Sequence, residues 1–352
     1  MGLTRRRFAT MTAGGMLASP FVRPAAAAAS MTVAAPGGVF QQVFQVAVID
    51  AFRRARPDIA VYYYPVSNPA QILGLLRQRQ QPPQFDVVLL GPKTARSATS
   101  ENLLEPMRPE TMPVLSELVP AVAIQGVAGA AAMIDCLAMP HVPNATKQSL
   151  TSWRILWDPS VTQRIAIPGP PDAVGIGFIS IASRLFARGL DRDSLTGGIN
   201  AIKHMAPRVV SWLPRPDVYD FLIDENAAFG VAWNGIGQVR AKRNPEQLRM
   251  ALPTDAPVRD IHTIHLVKGA RQPDAARIFA SYVLGAEAQS RIADNLFMTP
   301  VNSLARISPE ASSRLMRLDD ASVPLVTVDS PEIDDLRGFI TTTWRETIMR
   351  VR

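Results

Sequence analysis

The sequence predicts an α/β fold divided between two lobes. Strand-like and helix-like segments alternate from residue 32 onward. One segment, Phe85-Asp86-Val87-Val88-Leu89-Leu90, is almost continuously apolar, as strands covered on both faces of a parallel sheet are. A length of 352 residues exceeds what one small module needs. A hydrophobic fraction of 47% against 19% charged residues supplies a large core and argues against a disordered chain.

Thr32-Val33-Ala34-Ala35 forms the first strand and runs into Pro36-Gly37-Gly38. Over 39–56 the apolar residues Phe40, Val43, Phe44, Ala47 and Phe52 recur at helical spacing, and Arg56-Pro57-Asp58 stops that helix. Residues 59–66, rich in Tyr and Val, form the second strand. Asn68-Pro69 has the form of an N-cap followed by proline at N1. It opens a helix over 70–80 that ends before Pro82-Pro83, and the strand over 85–90 completes a βαβαβ unit. The middle of the chain repeats the pattern. A strand over 165–167 leads through a Gly/Pro-rich turn to helices over 175–188 and 191–205. A strand over 208–212, a short helix opened by Pro216-Asp217 and a buried strand over 229–233 follow. A strand over 261–267, helices over 273–284 and 287–295 parted by Gly285, and a helix capped by Ser330-Pro331 and running to Met349 close the chain.

The formal charge of +7 invites a nucleic-acid partner, but its location argues otherwise. Arg5, Arg6, Arg7 and Arg23 supply four of those charges, and residues 1–29 contain no acid; removing them leaves +3. Thr4-Arg5-Arg6-Arg7-Phe8, a weakly apolar stretch over 9–22 and the alanine run over 25–29 have the layout of an export signal. Thr-Arg-Arg-x-Phe resembles the twin-arginine signal, with Ala9 and Thr10 standing where Leu and Lys are commoner. The apolar stretch is short of the roughly 20 residues of a spanning helix. A periplasmic chain of about 323 residues, beginning near Ser30 and without a nucleic-acid partner, is expected. The single cysteine excludes a disulfide framework and a lipid anchor at the cleavage site. Cys136 lies in the apolar run over 130–137 and is expected to be inert in the core.

Catalytic vocabulary is nearly absent. The chain has no Gly-x-Ser-x-Gly elbow, no phosphate-cradling Gly-x-x-x-x-Gly-Lys-Ser/Thr loop and no His-Glu-x-x-His helix. Gly175-Ile176-Gly177 lacks the third glycine of a dinucleotide site. His262 and His265, three apart on a strand, should point to opposite faces, one to solvent and one to a pocket. Tyr62, Tyr63 and Tyr64 alternate between faces in the same way, so packing explains them better than metal ligation does. Neither enzyme activity, cofactor nor metal is expected.

Several blocks resemble those of bacterial family 1 extracellular solute-binding proteins, and most nearly the spermidine/putrescine-binding branch. These are Phe85-Asp86-Val87-Val88 with Asn102-Leu103-Leu104-Glu105-Pro106, then Ser152-Trp153-Arg154-Ile155-Leu156-Trp157. Phe229-Gly230-Val231-Ala232-Trp233-Asn234-Gly235, Val267-Lys268-Gly269-Ala270 and Thr299-Pro300-Val301-Asn302 follow in the family's order. The resemblance implies a two-lobed periplasmic binding protein of type II-like architecture, with a ligand cleft between the lobes. Lobe one would comprise 31–130 plus 260–305, and lobe two 131–259 plus 306–352. It implies a monomer that closes on a small-molecule ligand and then engages an inner-membrane ABC permease.

Open α/β sheets bind ligands beyond the carboxyl ends of their strands. Gly37 and Gly38, Ser67 and Asn68, and Lys93 and Thr94 follow the first three strands and are candidates for the cleft. Asp172, before a helix N-terminus, and Trp233, in the Trp-Asn-Gly block, are candidates from the second lobe. Asp260 and His262 stand where polyamine binders place an acid, and Lys93 stands where they place an aromatic residue. A lysine there repels a cation. The expected ligand is therefore a small organic anion or zwitterion. A polyamine is the alternative, and an exported enzyme or chaperone without a recognisable motif is a second one.

Overall fold

Parallel pairing begins at the first described residue of the computed structural model, which describes residues 29–316 and 325–350. The expected export signal lies almost wholly outside these residues. The strands are β1 (Ala29–Pro36), β2 (Ile59–Val66), β3 (Val87–Leu90), β4 (Leu104–Glu105), β5 (Ala130–His141) and β6 (Ile165–Ala166). They continue with β7 (Val209–Ser211), β8 (Phe229–Gly230), β9 (Ala232–Trp233), β10 (Arg249–Ala251), β11 (Val258–Val267) and β12 (Val326–Thr327). The main path of the sheet runs β2-β1-β3-β11-β5-β8-β6-β7.

Two parallel sets flank two long crossing strands. β1 pairs in parallel with β2 and β3, and β6 in parallel with β7 and β8. β11 is antiparallel to β3, β5 is antiparallel to β8, and β5 and β11 are antiparallel to each other. Residues 31–134 and 261–301 contribute one hydrophobic core. Residues 137–258 and 326–348 contribute another. β5 and β11 supply residues to both.

The helices follow from local sequence. A helical run over 38–55, with a π-helical turn at Gln45–Ile49, buries Phe40, Phe44 and Phe52. Phe52 meets Phe279 edge-on at 5.1 Å. Asn68 caps Pro69–Arg77 by accepting from Gln71 N, while Gln71 Oε1 accepts from Ser67 N, a reciprocal arrangement that fixes the turn. Asp172, Asp191, Asp217 and Ser330 cap the helices Ala173–Phe186, Arg192–Met205, Val218–Ile223 and Pro331–Trp344 in the same way. The helix after Asn68 ends three residues sooner than 70–80, at Arg77.

Three features differ from the sequence expectation. The expected strand over 229–233 is divided, because β8 pairs with His141 while β9 pairs four residues away with Leu137. Pro92–Ser100 and Asn234–Arg243 are helices that the sequence does not announce. In the second, Gly235 and Gly237 look like loop residues yet pack closely, Gly235 against backbone and Gly237 against the flexible end of Met250. A Cβ on Gly235 would stand 2.8 Å from Leu296 O, and one on Gly237 would stand 2.3 Å from Met250 Cε.

β2 forms one outer edge of the sheet. Arg53 Nη2 donates to Val61 O at 2.6 Å there, and Pro65 removes one donor from the same strand.

Helices Ala173–Phe186 and Arg192–Met205 touch where Gly198 meets Ser183; a Cβ on Gly198 would lie 2.6 Å from Ser183 N. Gly198→Ala is expected to cost about 1–3 kcal/mol in urea unfolding, since backbone cannot yield as a flexible side chain can. Gly74→Ala, where a Cβ meets nothing within 4 Å, is expected to stabilise its helix by up to about 1 kcal/mol.

Candidate functional site: a cleft at the crossing strands

Strand register locates the candidate site. β3 ends at Leu90, opposite Thr263, so residues 258–262 of β11 project past it. From the other side, β9 ends at Trp233, opposite Leu137. The carboxyl ends of both parallel sets therefore point at one short row, in which Arg259, Asp260, Ile261 and His262 pair with Cys136, Asp135, Ile134 and Met133. Side chains directly opposite in an antiparallel pair share a face. Asp260, His262, Asp135 and Met133 thus lie on one face of the row, and Ile261 and Ile134 on the other.

Asp135 is the buried carboxylate of this row. Its Oδ1 accepts from Cys136 N at 2.8 Å and from Gly235 N at 2.9 Å, so it caps helix Asn234–Arg243 from another strand. Burial pushes its pKa up to about 7; the backbone donors pull it down and the facing Asp260 adds to the rise. Asp329, just after β12, is raised to about 6, chiefly by burial and then by Asp260, against the pull of Arg337. Asp260 stands between these two, and its carboxylate accepts no hydrogen bond from the described residues; His262 Nε2 is 3.8 Å from its Oδ2. The His262 ring stacks on Phe40, with centroids 6.1 Å apart.

The sequence-derived candidates are distributed as follows. Gly37 N donates to Val66 O, and Gly38 takes a left-handed φ of +68° at the start of the helix bearing Phe40, which brings this turn to His262. Lys93 and Thr94 lie in the first turn of helix Pro92–Ser100, behind the cap Gly91. Lys93 Nζ is 3.4 Å from Asp334, so its charge is already engaged. Ser67 and Asn68 are exposed at the end of the edge strand, three strand spacings (roughly 14 Å) from β11. Asp172 keeps an open face but is crowded by neighbouring protein, and the loss of hydration raises its pKa; its cap to Val174 N at 2.8 Å opposes the rise. Trp233 is half-buried against the second core, and its carbonyl accepts from Tyr219 Oη at 2.5 Å. Gly37, Gly38, Asp260 and His262 form one neighbourhood through the Phe40–His262 stack and the His262–Asp260 approach, while Lys93 and Thr94 lie on the helix that meets Asp334. Asp172 and Trp233 belong to the second parallel set, and Ser67 and Asn68 stand apart.

One of the two histidines differs from expectation. His265 is sealed in the core rather than facing solvent or a pocket, because it pairs with Val88 and its ring abuts Gly129. Thr263 Oγ1 donates to Leu90 O, so His265 Nε2 must donate to Thr263, at 2.7 Å. Burial lowers its pKa to about 3. The tyrosines separate: Tyr62 is exposed, Tyr63 donates to Pro36 O, and Tyr64 packs on Phe85 at 5.0 Å. Cys136 is a buried free thiol. Among the described residues, no group of three or more His, Cys, Asp and Glu is placed to hold a metal, and no helix is long and apolar enough to cross a membrane.

Residues 31–297 match the pattern of the bacterial extracellular solute-binding proteins, and the chain belongs to that family. It is a family of binding proteins, not enzymes. The fold is the two-lobed α/β fold of periplasmic binding proteins. An ABC transporter substrate-binding protein from Bradyrhizobium japonicum USDA 110 superposes with a TM-score of 0.75 at 17% identity, covering 90% of this chain and 99% of the other. The GABA receptor Atu4243 gives 0.70 at 17% identity, covering 91% and 97%. The binding protein AgtB of A. tumefaciens R10, in complex with agropinic acid, gives 0.69 at 17% identity, covering 91% and 99%. No curated protein matches the sequence.

An unfolded aspartate titrates near about 4, so over the window up to about 7 the unfolded chain binds fewer protons than the fold, where Asp135 holds its proton. Stability is therefore expected to fall as pH rises through that window, and Asp329 adds the same sign up to about 6. Asp135→Asn should flatten the slope of melting temperature against pH between 5 and 7.5. Identical slopes would show that Asp135 does not titrate there.

Proposed function

We propose that the protein is the periplasmic solute receptor of an ABC importer, a monomer that captures a small polar organic solute by closing its lobes. The convergence of two sets of parallel strand ends on one polar row carries this reading, because that is where open α/β sheets hold ligands. The proposed lobes are 31–130 with 260–305 and 131–259 with 306–352; the separate cores on either side of the crossing strands support that division. The permease would read the closed form, and export by the twin-arginine route would deliver the chain to the periplasm.

A zwitterion fits the row best. Asp260, partly exposed and with no donor on its carboxylate, suits an ammonium group, while the Gly37–Gly38 turn at a helix start suits a carboxylate. The neighbours described with GABA and with agropinic acid bind carboxylic acids, which is consistent with this class. Three carboxylates near the row, Asp135, Asp260 and Asp329, favour a polyamine as the second reading.

Calorimetric titration with 4-aminobutyrate, succinate and putrescine separates these classes. The amino acid is expected to bind most tightly, and Asp260→Asn to weaken it by about tenfold or more, the loss of one charge-assisted contact. Putrescine binding more tightly than 4-aminobutyrate would replace the zwitterion by the polyamine. Unaltered affinity in Asp260→Asn would remove Asp260 from the site.

A further inference from the structure

The crossing strands are not the sole link between the lobes. Helix Pro92–Ser100 is fixed in the first lobe through buried Ala95 and Ala98. Helix Pro331–Trp344 is fixed in the second through Ile333, Ile340 and Trp344. Between them, Arg96 Nη2 donates to Asp329 O at 2.6 Å and to Asp334 Oδ2 at 3.0 Å. Lys93 adds its contact with Asp334 from the same side. Arg337 holds the acids in place, bonding Asp334 Oδ1 at 2.8 Å and pairing with the Asp329 carboxylate.

Backbone approach fixes the position of the cluster. β3 and β12 flank the same edge of β11 and run toward each other, so Gly91 and Asp329 meet end to end. A Cβ on Gly91 would stand 2.9 Å from Asp329 Oδ2. The Arg96 stem runs past Gly126, which has φ +75°. Side-chain exposures of 23% for Arg96, 16% for Asp334, and 20% for Arg337 and Asp329 shelter the cluster from salt more than an open surface pair.

We propose that Arg96 and the Asp329–Asp334–Arg337 cluster form a strap that sets the resting angle between the lobes. Any rotation about β5 and β11 that separates Gly91 from Asp329 must break both Arg96 hydrogen bonds. The strap therefore weights the ligand-free equilibrium toward the conformation described here, by its differential interaction with the two states. This inference rests on the two-lobed fold and holds whichever solute the cleft takes.

Spin labels at Tyr62→Cys and Lys203→Cys, exposed positions on opposite lobes, read the angle as a distance distribution in the ligand-free protein. Cys136 is buried and stays unlabelled. Arg96→Ala is expected to move the ratio of the two lobe arrangements by roughly fivefold, the worth of about 1 kcal/mol. Arg96→Lys, which can keep one contact, should fall between it and the parent. An unchanged distribution in a folded Arg96→Ala protein overturns the strap. Should that variant fail to fold, Asp334→Asn and the parent at 1 M salt, where the Debye length is about 3 Å, must shift the distribution in the same direction, and no shift in either overturns it equally. Failure of every solute to bind would count against the proposed ligand class and leave this result untouched.

Discussion

The antiparallel pairing of β5 with β11 is the constraint on which the rest depends. Each strand is long enough to serve two cores, ten residues in β11 and twelve in β5. Each flanking parallel set runs antiparallel to the crossing strand beside it. Its carboxyl ends, where the turns and helix starts lie, are consequently driven toward the middle of the molecule. The cleft proposed above rests on this topology before any particular side chain is chosen. In that proposal the row serves both as a hinge and as a lining, which limits what can occupy it.

That double duty shows in the electrostatics. A carboxylate as buried as Asp135 is costly unless hydrogen-bonded, and the N-terminus of helix Asn234–Arg243 supplies the donor from Gly235. Asp260, directly across the ladder, adds to the cost of ionising Asp135. Positive charge is present close by, in Lys93, Arg96 and Arg337, but it is spent on Asp329 and Asp334. Asp260 is left as the carboxylate with spare acceptor capacity at the floor. The lysine that reads from sequence as repelling a cation thus leans toward an acid on a helix over two hundred residues away, and shares that acid with Arg96 and Arg337.

Much of the first βαβαβ unit was legible, because hydrophobic period, Asn68-Pro69 and the apolar run before Gly91 are local signals. β2 spans the expected residues 59–66, and β1 differs from 32–35 only in its ends. Helix Asn234–Arg243 was not legible, since its glycines answer to Leu296 and Met250, which are distant in sequence. Asp135 did carry a signal, an acid inside the apolar run over 130–137, although its partner Gly235 is a hundred residues on. Asp329 carried none: its meeting with Gly91 depends on β3 and β12 sharing one edge of β11, and only the assembled sheet specifies that. His265 failed for a related reason, as alternation along a strand says which side a residue takes but not what covers that side.

The outer edge at β2 bears on how the protein behaves in crowded surroundings. An uncovered strand edge is a template on which a neighbouring chain can continue the ladder. Here a guanidinium occupies the Val61 carbonyl and an imino acid interrupts the row of donors four residues later. A newcomer would have to displace Arg53 and leave a carbonyl unmatched at Pro65. That flank of the sheet is thereby a poor template for a neighbouring chain, although no helix covers it among the described residues.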